Sequence, residues 1–174
     1  MKASGSSKAG KLAKKNLRRE DHEALAVWAA DCAEHVLPYF EKEYPEDDRP
    51  RKAIKACRRW ARTGVFRMAD VRRDSLAAHA AAREAKEDSA ARYAARAAGQ
   101  AVATAHAPRH AIGPAWYGIK AAEAAGVADE REWQHSHLPK RLHPMVSAEA
   151  TRHGRKNPGR KRYRHLSIAS KDMQ

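Results

Sequence analysis

A chain of 174 residues with a net charge of +14 is long enough to bury one core without disulfides or metals, and short enough to be a single domain. It lacks any apolar run near the roughly 18 residues that a membrane span requires, and its basic N-terminus is followed by no apolar stretch of the kind a secretory signal needs. These features argue against a membrane protein and point to the cytoplasm, where the two cysteines, Cys32 and Cys57, are expected to be buried free thiols rather than a bridge.

The first helix is expected over Asp21 to Tyr44, capped by Asp21, with Leu25, Trp28, Ala29, Cys32, Val36 and Phe40 as its buried stripe. Pro38 should kink or split it. Asp48 and Pro50 fit the start of a second helix, with Ala53, Ile54, Cys57, Trp60 and Ala61 inward and Gly64 as its left-handed stop. A third covers Met68 to Lys86, with Val71, Leu76 and alanines inward. Ser89 opens a fourth that runs to about His106. The fifth lies between Pro108 and Gly126, with Pro114 delaying its start. A sixth follows Asp129, carries Trp133 and Leu138 inward and breaks at Pro139, before a last short helix with Leu142, Met145 and Val146.

The chain has thirty-eight alanines and no strand-like alternation, so the fold class is all-α, a single bundle of about six helices. The fourth and fifth helices, dense in Ala and Gly, should be its tightly packed centre.

Charge divides the chain into three parts. Residues 1–19 hold seven Lys/Arg and no acid, residues 151–174 hold eight Lys/Arg and one acid, and residues 20–150 hold twenty of each sign. A neutral helical domain, 20–150, thus sits between two basic tails expected to be disordered, apart from a short element around Tyr163 to Ile168. Arg155, Lys156, Arg160, Lys161, Arg162 and Arg164 suit non-specific contact with nucleic-acid phosphates. Equally, such tails can simply keep a neutral domain soluble.

No motif marks an enzyme: there is no Gly-x-Ser-x-Gly, no phosphate-cradling glycine loop and no Cys-x-x-Cys. No cofactor is implied. His106 and His110 have the i, i+4 spacing of helical metal ligands, but Pro108 interrupts them and no His-Glu-x-x-His accompanies them, so no metal site is assigned. Asp31 lies beside the apolar stripe of the first helix, and a short loop should bring Asp48, Arg49 and Arg51 near it. This polar cluster, with His79 and His106 as neighbours, is the candidate partner-binding site. Were an Asp31–Arg pair buried, Asp31→Ala would cost roughly 3–5 kcal/mol.

Trp28-Ala29-Ala30-Asp31-Cys32-Ala33-Glu34-His35-Val36-Leu37-Pro38 and Asp48-Arg49-Pro50-Arg51-Lys52-Ala53-Ile54 resemble the pattern of the Imm5-like immunity proteins. The likeness continues through Ala77-Ala78-His79-Ala80-Ala81-Ala82-Arg83, Ala95-Arg96-Ala97-Ala98-Gly99, Ala103-Thr104-Ala105-His106, Glu132-Trp133-Gln134 and Leu138-Pro139. Asp-Arg-Pro-Arg is its most specific part, and Gln100 stands where the pattern has a His. The resemblance implies an all-α domain over about residues 21–150 in a bacterial polymorphic-toxin system. Its role there would be to neutralise a cognate toxin by stoichiometric binding, without catalysis. The alternative is a nucleic-acid- or ribosome-associated protein acting through its tails.

Overall fold

Alanine, the strongest helix former, sets the architecture. The computed structural model describes residues 17–156, and among these it contains seven α-helices and no strand. They are α1 (Arg19–Glu43), α2 (Arg49–Thr63), α3 (Met68–Glu84), α4 (Ala90–Ala103), α5 (Ile112–Ala124), α6 (Glu130–His137) and α7 (His143–Lys156), with 3-10 turns at Pro108–Ala111 and Lys140–Leu142. None of the described helices is long and apolar enough to cross a membrane.

The boundaries follow local chemistry. The hydroxyl of Ser89 accepts the Arg92 backbone N–H at 3.1 Å and caps α4. Gly64 ends α2 at φ 67°, where a side chain would be strained. Pro114 is the third residue of α5, inside the first turn, where its missing N–H costs nothing. Pro38 does not split α1, which continues to Glu43. Pro38 and Glu34 are both on the exposed side, so water can reach the carbonyl four residues back that proline leaves without a donor.

Three expected caps are arranged differently. Asp48 precedes α2 but makes no capping bond; its carboxylate pairs with Lys52 at 2.9 Å, and Asp47 accepts the Arg49 backbone N–H at 3.1 Å instead. Asp129 precedes α6, likewise without a capping bond. Asp21 lies inside the first turn of α1, because the helix begins two residues earlier than expected. Its buried carboxylate accepts Arg141 at 3.0 Å and Arg18 at 3.1 Å, tying the start of α1 to the turn before α7. The Arg141 hydrogen bond, outweighing burial, holds that carboxyl below its usual range.

α4 is the hub, packed against α1, α2, α3 and α5. It can take four neighbours because Ala91, Ala94, Ala95, Ala97, Ala98 and Ala101 present no bulk to any of them, and all six are buried. The first core gathers these alanines with Val36, Leu37, Phe40, Ile54 and Cys57. A second lies across α1, where Leu25, Trp28 and Cys32 meet Ile112, Leu138, Leu142 and Val146. Both cysteines are free and buried. Cys57 Sγ donates towards the carbonyls of Ala101 at 3.0 Å and Ala26 at 3.4 Å, and burial pushes its thiol up to about 12.

Two expected core residues face elsewhere. Leu76 is 54 % exposed. The inward stripe of α3 is Ala78, Ala81 and Ala82, and position 76 lies about 200° from position 78 around the helix. Trp133 is only half-buried, and its neighbour Gln134 occupies the interior instead.

At the C-terminal end α7 runs to Lys156, so the segment from 151 to 156, expected to be tail, continues the helix. Arg155 and Lys156 are in its last turn. Arg160, Lys161, Arg162, Arg164 and the element expected around Tyr163 to Ile168 lie outside the described residues, as does the chain before Leu17.

Candidate functional site

The polar residues singled out by sequence separate into distinct knots. α1 and α2 are joined by a short loop and run antiparallel, so the start of α2 meets the end of α1. Arg51 accordingly grips Glu41 at 2.5 and 2.7 Å, and Arg49 bridges Asp47 at 2.6 Å to Glu84 of α3. Asp31 lies ten residues before Glu41, and its partner on α2 is correspondingly later: Arg58, at 2.8 Å. The expected pairing of Asp31 with Arg49 or Arg51 is therefore replaced by Arg58. Glu34 shares the Arg58 guanidinium and lies 3.9 Å from Arg51, linking the two knots.

His79 and His106 join neither knot. His79 stands on α3 against α4. His106 follows α4, its ring stacked on Phe66 with centroids 6.4 Å apart. Pro108 opens a 3-10 turn between His106 and His110, so the two do not share a helix. No group of three or more His, Cys, Asp or Glu among the described residues could hold a metal.

What gathers around Asp31 is a surface pocket of about 330 Å³ lined by Asp31, Glu34, His35, Arg58, Trp133 and His137. Asp31, Glu34 and His35 share one face of α1 by i, i+3, i+4 spacing, and α6 closes the opposite wall. The Trp133 indole lies between two imidazoles: His35 at 3.7 Å and 5° on one side, His137 at 4.0 Å and 24° on the other. The other ring edge of His35 meets the buried Glu130 at 2.6 Å.

Beneath the pocket α6 is anchored by a chain of hydrogen bonds. Gln134 Nε2 donates to Glu130 at 2.7 Å and to the Ala115 carbonyl at 3.0 Å, and the Trp28 indole N–H donates to the Gln134 carbonyl at 2.9 Å. The close approach requires Gly118 of α5, where a Cβ would lie 2.8 Å from Gln134 Nε2 and 3.2 Å from Glu130 Oε1. Gly118→Ala should lift α6, lowering stability by about 1–3 kcal/mol and shifting the Trp133 indole N–H resonance. An unchanged melting temperature with an unmoved resonance would remove this anchoring.

Two carboxylates on one guanidinium leave the pocket rim with excess negative charge, beside flat aromatic edges. Such a surface can receive a cationic or planar side chain of a partner protein. It also changes the expected cost of losing Asp31. The Asp31 side chain is 29 % exposed and that of Arg58 37 %, and Glu34 keeps Arg58 paired. Asp31→Ala should therefore cost no more than about 1 kcal/mol, as for an exposed pair, and urea unfolding measures this. Sequence reasoning missed Glu34, His35, Arg58 and His137; the shared polar face of α1 was the available signal for the first two.

The fold and the site define an all-helical bundle with a polar, aromatic-walled pocket at its surface. The sequence model of the Imm-5 like putative immunity protein family matches residues 15–141, well over half of the chain, and the protein belongs to that family. No curated protein and no solved structure matches it.

Proposed function

We propose that the protein is a non-catalytic immunity protein that binds a cognate toxin stoichiometrically and occludes it. The observation that carries this reading is the family match over residues 15–141, which spans the helices that build both cores and the pocket. The Asp31/Glu34/Arg58 rim with the His35–Trp133–His137 stack is the docking surface, presenting a rigid aromatic flanked by charge, as protein-binding hot spots do.

Co-expression with the cognate toxin, sought among the genes that neighbour its own, tests the reading. Wild type should restore growth and co-purify with the toxin at one to one. Trp133→Ala and Arg58→Gln should lose rescue while remaining folded by circular dichroism. No rescue by wild type overturns the function; rescue by both variants moves the docking surface elsewhere.

A second reading rests on the charge of the two ends, each +7 about a neutral 20–150 body. Nucleic-acid binding through them would weaken steeply with salt, by counterion release. Comparing the full chain with a tail-neutralised variant measures it, and binding that ignores salt or survives neutralisation removes the tails from any such role.

A further inference from the structure

Apart from the pocket, one further cluster on the bundle stands out for what it lacks. His79 of α3 packs directly on Gly99 of α4, where a Cβ would lie within 2.8–3.0 Å of three of its ring atoms. One helical turn earlier, Ser75 donates to the Gly99 carbonyl at 2.9 Å, so the two helices are pinned here. The ring's Nδ1 is sealed from solvent and has no hydrogen-bond partner. A sealed lone pair costs less than a sealed N–H, so the neutral ring carries its hydrogen on Nε2, at the outer rim.

Two arginines flank that rim. Arg83 follows His79 by one turn of α3, and Arg96 precedes Gly99 by one turn of α4. Burial first, and then the positive charge of Arg96, Arg83 and His110, disfavours a proton on the His79 ring. Several arginines of the bundle are clamped by carboxylates: Arg49, Arg51, Arg58, Arg73 and Arg141 each hold at least one. Arg83 and Arg96 hold none among the described residues. The carboxylate beside Arg83, Glu84, is already taken by Arg49. A half-buried imidazole N–H and two guanidiniums that clamp no carboxylate, all within one turn of one another, make the donor set that an oxyanion accepts from.

We infer that His79, Arg83 and Arg96 form a binding site for an oxyanion, a phosphate or a carboxylate group, with His79 Nε2–H and the two guanidiniums as donors. The site lies on α3 and α4, not on the Asp31 pocket between α1, α2 and α6, and it does not depend on the toxin-binding reading.

NMR of the His79 ring in the full chain tests the inference, with inorganic phosphate and succinate titrated separately against a chloride background of equal ionic strength. Saturable movement of the His79 resonances with either anion, together with a rise in the pH at which the ring protonates, is the expected result, and the anion that saturates at lower concentration names the source. Arg83→Gln/Arg96→Gln, both at the helix surface, should keep the fold and weaken binding at least about tenfold, the effect of losing charge-assisted donors. Absence of saturation with both anions, or an equal response in the double variant, overturns the site.

Discussion

Ala98→Leu and Ala101→Leu should each lower the melting temperature by several degrees, and both together should leave little folded protein at 37 °C. Both alanines are wholly buried on α4, the helix that touches α1, α2, α3 and α5. Ala101 also lends its carbonyl to Cys57 of α2. A helix with one crowded neighbour can tilt away from an added isobutyl group, but a helix with four has nowhere to go. Overpacking of this kind costs about 1–3 kcal/mol per site, and each kcal/mol moves the melting temperature of a domain this size by roughly 3–5 °C. Ala69→Leu on the exposed side of α3 is the matched control, expected to stay within about 0.5 kcal/mol of wild type. Unchanged melting in both α4 variants would remove α4 from the centre.

That centre was readable in advance, since a run of alanines and one glycine at helical spacing leaves close approach as its main use. So was the α1 stripe, where Leu25, Trp28, Cys32, Val36 and Phe40 contrast sharply with the charged residues between them. α3 was harder for the opposite reason. With Ala77, Ala78, Ala80, Ala81 and Ala82 in one helix, periodicity carries almost no contrast. Leu76 is expected inward with Val71 and the alanines, yet the helix uses its smallest face to reach α4. Trp133 and Gln134 exchanged roles for a related reason. Hydrophobicity favoured the tryptophan as core, but the Glu130–Gln134–Ala115 hydrogen bonds let the glutamine be buried.

The candidate site was half legible. Asp31 was recognisable as a polar group beside an apolar stripe, whereas its partner depended on the register of α1 against α2. Arg49 and Arg51 were nearer in sequence, but antiparallel packing spends them on Asp47, Glu84 and Glu41 and delivers Arg58 instead. The far wall, Trp133 and His137, comes from a helix about a hundred residues on. No local pattern announces that contact. It depends on Gly118 admitting α6 and on Asp21 and Arg141 fixing the segment that follows.

Stability should fall as the pH drops from about 6.5 to 4, and His79 should be a main cause. Burial, reinforced by Arg96, Arg83 and His110, lowers its ring from 6.5 to about 4. Between these values the unfolded chain binds a proton that the folded chain refuses, so the unfolding free energy decreases as pH falls through this window and levels off below it. The full shift corresponds to a ceiling of about 3 kcal/mol; because part of the ring reaches solvent, about 1–2 kcal/mol is the expected loss after screening. The carboxylates held low by arginines act in a different window. Asp21, Glu41 and Asp47, kept below their usual values chiefly by Arg141, Arg51 and Arg49, add stability that is intact above about pH 5.5 and lost progressively below it. Urea midpoints at pH 7, 6.2 and 5.5 therefore isolate the histidine. His79→Leu keeps an apolar group over Gly99 and removes the titration, so its midpoint should decline less than that of wild type over this range. A saturating oxyanion between Arg83 and Arg96 should flatten the wild-type decline in the same way, by restoring a partner to the protonated ring. Parallel declines for wild type and His79→Leu would show that the ring at position 79 takes no part in the acid response.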